Sequence, residues 1–137
     1  MQDNIKKRLI IWLSIVILLI ASIVIIGGIT RLTVSGLSIT EWKPITGILP
    51  PLTEQQWQSE FEKYQNTPQF QLLNSNMNLQ EFRTIFFWEY LHRLIARMIG
   101  IIFFIPLLFF SKSKLIAKSM KIRLWVGFLL DGLQGLV

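Results

Sequence analysis

Leu9 to Ile26 is an unbroken stretch of 18 residues without a charge, and Gly27, Gly28 and Ile29 extend it to 21. A helix of that length covers a hydrocarbon layer of roughly 30 Å at about 1.5 Å per residue. A secretory signal is the rival reading. Its apolar part would run only about 7–15 residues and end at a small-residue cleavage site. Here Thr30-Arg31-Leu32-Thr33 follows without an Ala-x-Ala pattern. A retained transmembrane helix over residues 9–29 is the expectation.

Two further apolar runs follow. Met98 to Phe110 continues a helix that begins well before it, and Leu124 to Val137 starts a third run of 14 residues, too short to span. The expected fold is an all-α integral membrane protein: a transmembrane helical bundle, the N-terminal part of a four-helix half, with a structured outer loop. The expected segments are a cytoplasmic N-terminus over 1–8, span one over 9–29 and an outer loop over 30–83. Span two follows over 84–110, then a basic loop over 111–123 and the start of a truncated third span over 124–137.

The placement of charge sets the orientation. The net charge is +6. Lys6, Lys7 and Arg8 precede span one, and Lys112, Lys114, Lys118, Lys121 and Arg123 crowd the connection after span two. The 31–83 segment is nearly balanced. Basic residues collect in cytoplasmic loops, so the N-terminus faces the cytoplasm of a bacterial inner membrane, or the mitochondrial matrix. These residues flank spans rather than form one stripe, so no nucleic acid is expected as a partner. The chain has no cysteine, which excludes a disulfide, a thiol nucleophile and an iron–sulfur cluster within it.

The outer loop carries turn and capping signals. Ser35-Gly36-Leu37-Ser38 reads as a turn, and Gly47-Ile48-Leu49-Pro50-Pro51 as a stiff extended segment. Thr53 and Gln56 form a capping box for a short amphipathic helix over about 53–65. Its stripe of Trp57, Phe61 and Tyr64 packs on the rest of the loop, rests on the membrane surface, or contacts substrate. Asn78 and Glu81 repeat the box, with Met77 stapling to Phe82. Pro106 is a candidate kink.

The segment Glu89-Tyr90-Leu91-His92-Arg93 places an acid and the single histidine at the head of span two. Ionisable groups there point to a functional site. With Glu89 as angular zero at about 100° per residue, Ala96 and Gly100 fall within about 20°, Arg93 at about 40°, His92 at about −60° and Arg97 at about 80°. Small residues beneath a carboxylate, an imidazole and guanidinium groups suit a flat macrocycle with an axial imidazole and cations for its propionates. A plain interfacial polar cluster with an i, i+4 ion pair satisfies the same pattern.

Several motifs converge on one family. Gly27-Gly28-Ile29-Thr30-Arg31-Leu32-Thr33, Ser35-Gly36-Leu37-Ser38-Ile39, Glu41-Trp42-Lys43-Pro44 and Pro50-Pro51 resemble the first span and outer loop of the heme A synthases, the cytochrome oxidase assembly proteins. Met77 through Arg97 resembles their second span, and Gly132-Leu133-Gln134-Gly135 the start of their third. The resemblance implies an eight-span protein of two similar four-helix halves that oxidises a methyl group of heme O to the formyl group of heme A. It implies heme b as cofactor, heme O as substrate, and heme O synthase and cytochrome oxidase assembly factors as partners beside membrane lipid. A homo-oligomer stays open. The family's Glu-x-x-His motif maps onto Glu89, important for the oxidation, and His92, an axial ligand of heme iron. Charge suggests Arg93 and Arg97 as propionate partners. The chain departs from some members in lacking a pair of loop cysteines. It also stops inside the third span, short of the partner histidines, so activity of these 137 residues alone is not expected. A b-type cytochrome subunit and a non-enzymatic membrane fragment are the alternatives.

Overall fold

The computed structural model describes residues 1–136. Its elements are α1 (Gln2–Leu32), a 3-10 turn (Thr46–Ile48), α2 (Glu54–Gln65), α3 (Pro68–Leu73), α4 (Leu79–Lys112) and α5 (Lys118–Leu136). No strand occurs among the described residues. Helix α5 begins six residues before the apolar run at Leu124, so the basic connection shrinks to a short loop.

The chain divides into two compact units, one formed by residues 1–23 and 95–137 and the other by residues 24–94. In the first, Trp12, Val16, Leu107 and Leu124 form a buried cluster, with Phe103, Phe110, Trp125 and Phe128 packed on it. Trp12 stacks on Phe103 and Phe110 at centroid distances of 5.2 and 5.1 Å.

Pro106 lies inside α4, yet the helix continues to Lys112. A proline has no N–H, so the carbonyl four residues earlier loses its helical partner. That carbonyl belongs to Ile102, and the Trp12 indole donates to it at 2.8 Å. The expected cost of the proline is thus met by a side chain from α1. Trp12→Phe should therefore destabilise the protein by about 1 kcal/mol, the low end of the penalty for an orphaned acceptor, since this one is part-buried. In a Pro106→Ala background the helix N–H returns, and the same change should cost much less. Thermal unfolding of the four variants of this double-mutant cycle measures the difference.

In the second unit the stripe of α2 finds its partner. Phe61, Tyr64, Phe82, Ile85 and Phe86 form the buried core, with Trp57, Phe70, Met77 and Tyr90 against it. The aromatic stripe therefore packs on the rest of the loop, through Ile39, Phe70, Met77 and Phe82, and on Ile85, Phe86 and Tyr90 in the next turns of α4. Tyr64 is fully buried; its hydroxyl donates to Gln69 at 3.1 Å and accepts from Asn74 at 2.8 Å. Both capping boxes form: Thr53 with Gln56, and Asn78 with Glu81 through reciprocal bonds of 2.9 and 3.0 Å. Glu41 bonds Lys43 at 2.9 Å and Lys63 of α2 at 3.1 Å. These two ammonium groups, Lys43 first, hold its carboxyl below the usual range.

The long helices leave their apolar surface uncovered. Ile11, Leu18, Val24 and Ile25 on α1 and Phe87, Ile101 and Phe109 on α4 are more than half exposed. The most apolar windows of α1 and α4 are only 11% and 17% buried. A core helix of a water-soluble protein would be mostly covered. Apolar surface on this scale is stable only against lipid or more protein, and the chain is a membrane protein.

Candidate functional site

Helix α1 ends in a hydrogen-bonded cap. The Ser35 N–H donates to the Thr30 carbonyl at 2.9 Å and the Val34 N–H to that of Arg31 at 3.2 Å. This is the Schellman pattern, whose left-handed residue is usually glycine. Here that residue is Val34, at φ 54°, and Leu37 follows at φ 72°. Gly36 between them has no positive φ. A non-glycine residue in this region costs on the order of 1–3 kcal/mol, more for a β-branched one, and persists only where the surroundings over-determine it.

The surroundings here are polar and buried. Ser35 and Ser38 are fully buried. Thr33 and Ser35 join through their hydroxyls. The Ser38 hydroxyl bonds both the Ser35 carbonyl and the Glu89 carboxylate, each at 2.7 Å. Glu89 is 6% exposed. Its Oε2 accepts from the Ser38 hydroxyl and from the Ile39 N–H at 2.8 Å, while Oε1 accepts from Arg93 at 2.7 Å. A carboxylate offers about four lone-pair directions. Three are filled, and one on Oε1 is left. Thr30 adds a contact to the Trp88 carbonyl at 3.5 Å, and the Tyr90 hydroxyl bonds the Ile48 carbonyl.

His92 points to α1. A Cβ built on Gly27 would lie 3.2 Å from its Nε2 and 3.5 Å from its Cδ2. Any larger residue at position 27 would compete for the space of the ring. The imidazole is half-buried and has no hydrogen-bond partner among the described residues. A seated imidazole with uncommitted nitrogens, on a helix whose neighbour offers glycine, has the donor chemistry of an axial heme ligand. The donor type fits that group, with Nε2 resting against Gly27 of α1.

The six candidates separate in the structure. Glu89 and Arg93 meet directly, and His92 sits on Gly27. Ala96, Arg97 and Gly100 belong to the other unit. Ala96 is exposed, Arg97 and Gly100 are half-buried, and a Cβ on Gly100 would meet nothing within 4 Å. Glu89 lies under the Ser35–Ile39 turn rather than open at a rim, and Arg93 is committed to it. Sequence reasoning missed Ser38 and the Ile39 N–H as partners of Glu89. No local signal joins them, because Ser38 and Glu89 lie 51 residues apart.

These features define a helical membrane protein in which the turn after the first long helix is bonded to an acid of the second, and a histidine one turn on lies against the first. The chain belongs to the COX15-CtaA family, described as cytochrome oxidase assembly protein, whose match runs over residues 10–137. It is 49% identical to a heme A synthase of Rhizobium rhizogenes over 136 residues, 99% of this chain and 37% of the relative. It is 50% identical to one from Parvibaculum lavamentivorans, over 92% of this chain and 37% of that protein. A third, from Rhodopseudomonas palustris strain BisB5, is 54% identical over 93% of this chain and 35% of its own length. The chain thus spans about a third of the curated relatives it matches. No solved structure matches it.

Proposed function

We propose that this chain is the first third of a heme A synthase, which oxidises a methyl group of heme O to a formyl group in the biogenesis of cytochrome oxidase. The single observation that carries the reading is the pairing of Glu89 and His92 one turn apart on α4, each held by a separate segment of the same unit. The names of the relatives support it. The N-terminus and the basic 111–123 segment lie on the cytoplasmic side of a bacterial inner membrane, or on the matrix side in mitochondria, by their basic residues.

In this reading His92 binds the iron of the substrate heme O through its imidazole, and Gly27 keeps the ring's place clear. Bound porphyrin iron supplies the path for electrons that side chains cannot carry. Glu89 would act on the methyl carbon through the one lone pair left on Oε1. Its remaining lone pair stabilises positive charge developing there or holds a water or proton. Arg93 keeps the carboxylate oriented; Arg97 is the cation for a propionate. Ala96 and Gly100 keep the helix face flat enough for a macrocycle. A resident heme b, heme O synthase and cytochrome oxidase assembly factors complete the setting.

The direct test is expression of the full-length protein carrying this chain, together with a heme O synthase, in a host that makes no heme A. Extracted pigment should then contain heme A. Extraction of protoheme alone, with neither heme O nor heme A, would instead identify a b-type cytochrome that only passes electrons.

A further inference from the structure

We propose that the Thr33–Ile39 turn is a device that aims the Glu89 carboxylate, with Ser38 as its positioning residue. The inference rests on the catalytic reading of Glu89 given above and extends it to a segment that reading does not assign.

Two independent observations carry it. The first is the bonding at Oε2. Both of its donors, the Ser38 hydroxyl and the Ile39 N–H, come from this turn. The turn therefore fixes the rotation of the carboxyl group and leaves the open lone pair on Oε1, beside Arg93. The second is the backbone. Val34 and Leu37 are both held left-handed, although neither is glycine and a glycine lies between them. Val34 is left-handed as the closing residue of the α1 cap, whereas Leu37 takes its positive φ in the Ser35–Ser38 turn that presents the Ser38 hydroxyl to Glu89. Strain retained beside a buried acid is the signature of a segment held to a required geometry. The single Ser38 hydroxyl proton is shared between Glu89 and the Ser35 carbonyl, each at 2.7 Å, with the Ile85 carbonyl at 3.4 Å, so the Ile39 N–H is the undivided donor to Oε2.

A carboxylate free to rotate would present either oxygen to the reacting carbon. Loss of one charge-assisted donor typically lowers the population of the aimed state by about tenfold or more. The test uses the full-length protein in membranes, with Ser38→Ala, Ser38→Cys and Glu89→Gln. It reads heme content, thermal midpoint, and conversion of heme O to heme A per bound heme.

The expected result is unchanged heme content, a conversion at least about tenfold lower in Ser38→Ala, and an intermediate value for the weaker thiol donor in Ser38→Cys. Normal conversion in Ser38→Ala beside an inactive Glu89→Gln would overturn the proposal and leave the reading of Glu89 standing. An active Glu89→Gln would remove that reading and the proposal together. Joint loss of heme and conversion in Ser38→Ala would assign Ser38 to folding alone. An activity-independent measurement is the infrared carboxylate band of Glu89, located by carbon-13 glutamate labelling and by its absence in Glu89→Gln. It should shift in Ser38→Ala, and an unmoved band would overturn the proposal.

Discussion

Glu89→Ala is expected to unfasten the Thr33–Ile39 turn and abolish the proposed conversion of heme O. The substitution removes the acceptor for the Ser38 hydroxyl, the Ile39 N–H and the Arg93 guanidinium at one stroke. Deleting one partner of a fully buried ion pair costs about 3–5 kcal/mol; the cost here is smaller, because the Arg93 side chain left behind is 26% exposed. The strain at Val34 and Leu37 adds to the effect. The bonds to Glu89 are among those that hold the turn, and without them the left-handed residues relax. Hydrogen exchange at the Ile39 amide should accelerate by more than about a hundredfold, since each 1.4 kcal/mol of lost protection is a factor of ten. Glu89→Gln separates the two roles. Its side-chain carbonyl still accepts from the turn, so the loop should keep most of its protection. Its amide cannot carry negative charge, so conversion should fall by about a hundredfold or more, the usual range for losing a charge-stabilising group. Full protection with full activity in Glu89→Gln would show that the carboxylate clasps the loop and does no chemistry.

The fold was legible at the strongest local patterns, while the short α3, capped by Thr67 and begun by Pro68, went unread. An uncharged run of 18 residues dictates a long helix, and each capping box marked a helix start to the residue, because both depend on neighbours three or four apart in sequence. The partnership of Trp12 with the Ile102 carbonyl was not legible. Pro106 announces that some carbonyl is left over, but not which donor 90 residues away takes it. The candidate site divides in the same way. Helical periodicity put Glu89 beside Arg93, and the structure joins them. Periodicity on one helix says nothing about what a second segment brings to it. The Ser38 hydroxyl arrives from 51 residues away, through a turn whose left-handed residues are a valine and a leucine. Turn rules look for glycine at such positions, so they recognise the turn between Ser35 and Ser38 and misplace its strain.

His92→Ala and Gly27→Leu should fail in the same way, and their agreement is the sharpest test of the imidazole's role. His92→Ala deletes the nitrogen proposed to hold iron. Gly27→Leu leaves the nitrogen in the chain but fills its seat, since even a methyl at position 27 would lie 3.2 Å from Nε2. The ring has to give by a few tenths of an ångström for alanine and to leave for leucine. Overpacking alone costs about 1–3 kcal/mol, and misorienting a metal ligand lowers affinity by about 10–100-fold. Heme bound to the substrate half of the purified full-length protein should fall at least about tenfold in both variants, read from the Soret band and from extracted pigment. Gly27→Ala should retain heme with a shifted spectrum. Gly28→Ala is the control on the same helix, because a Cβ there meets nothing within 4 Å. It should keep its heme and gain slightly in stability from alanine's better helix propensity. A wild-type spectrum in Gly27→Leu would mean that the imidazole does not need its place against α1, and an unchanged one in His92→Ala would assign the iron to another ligand.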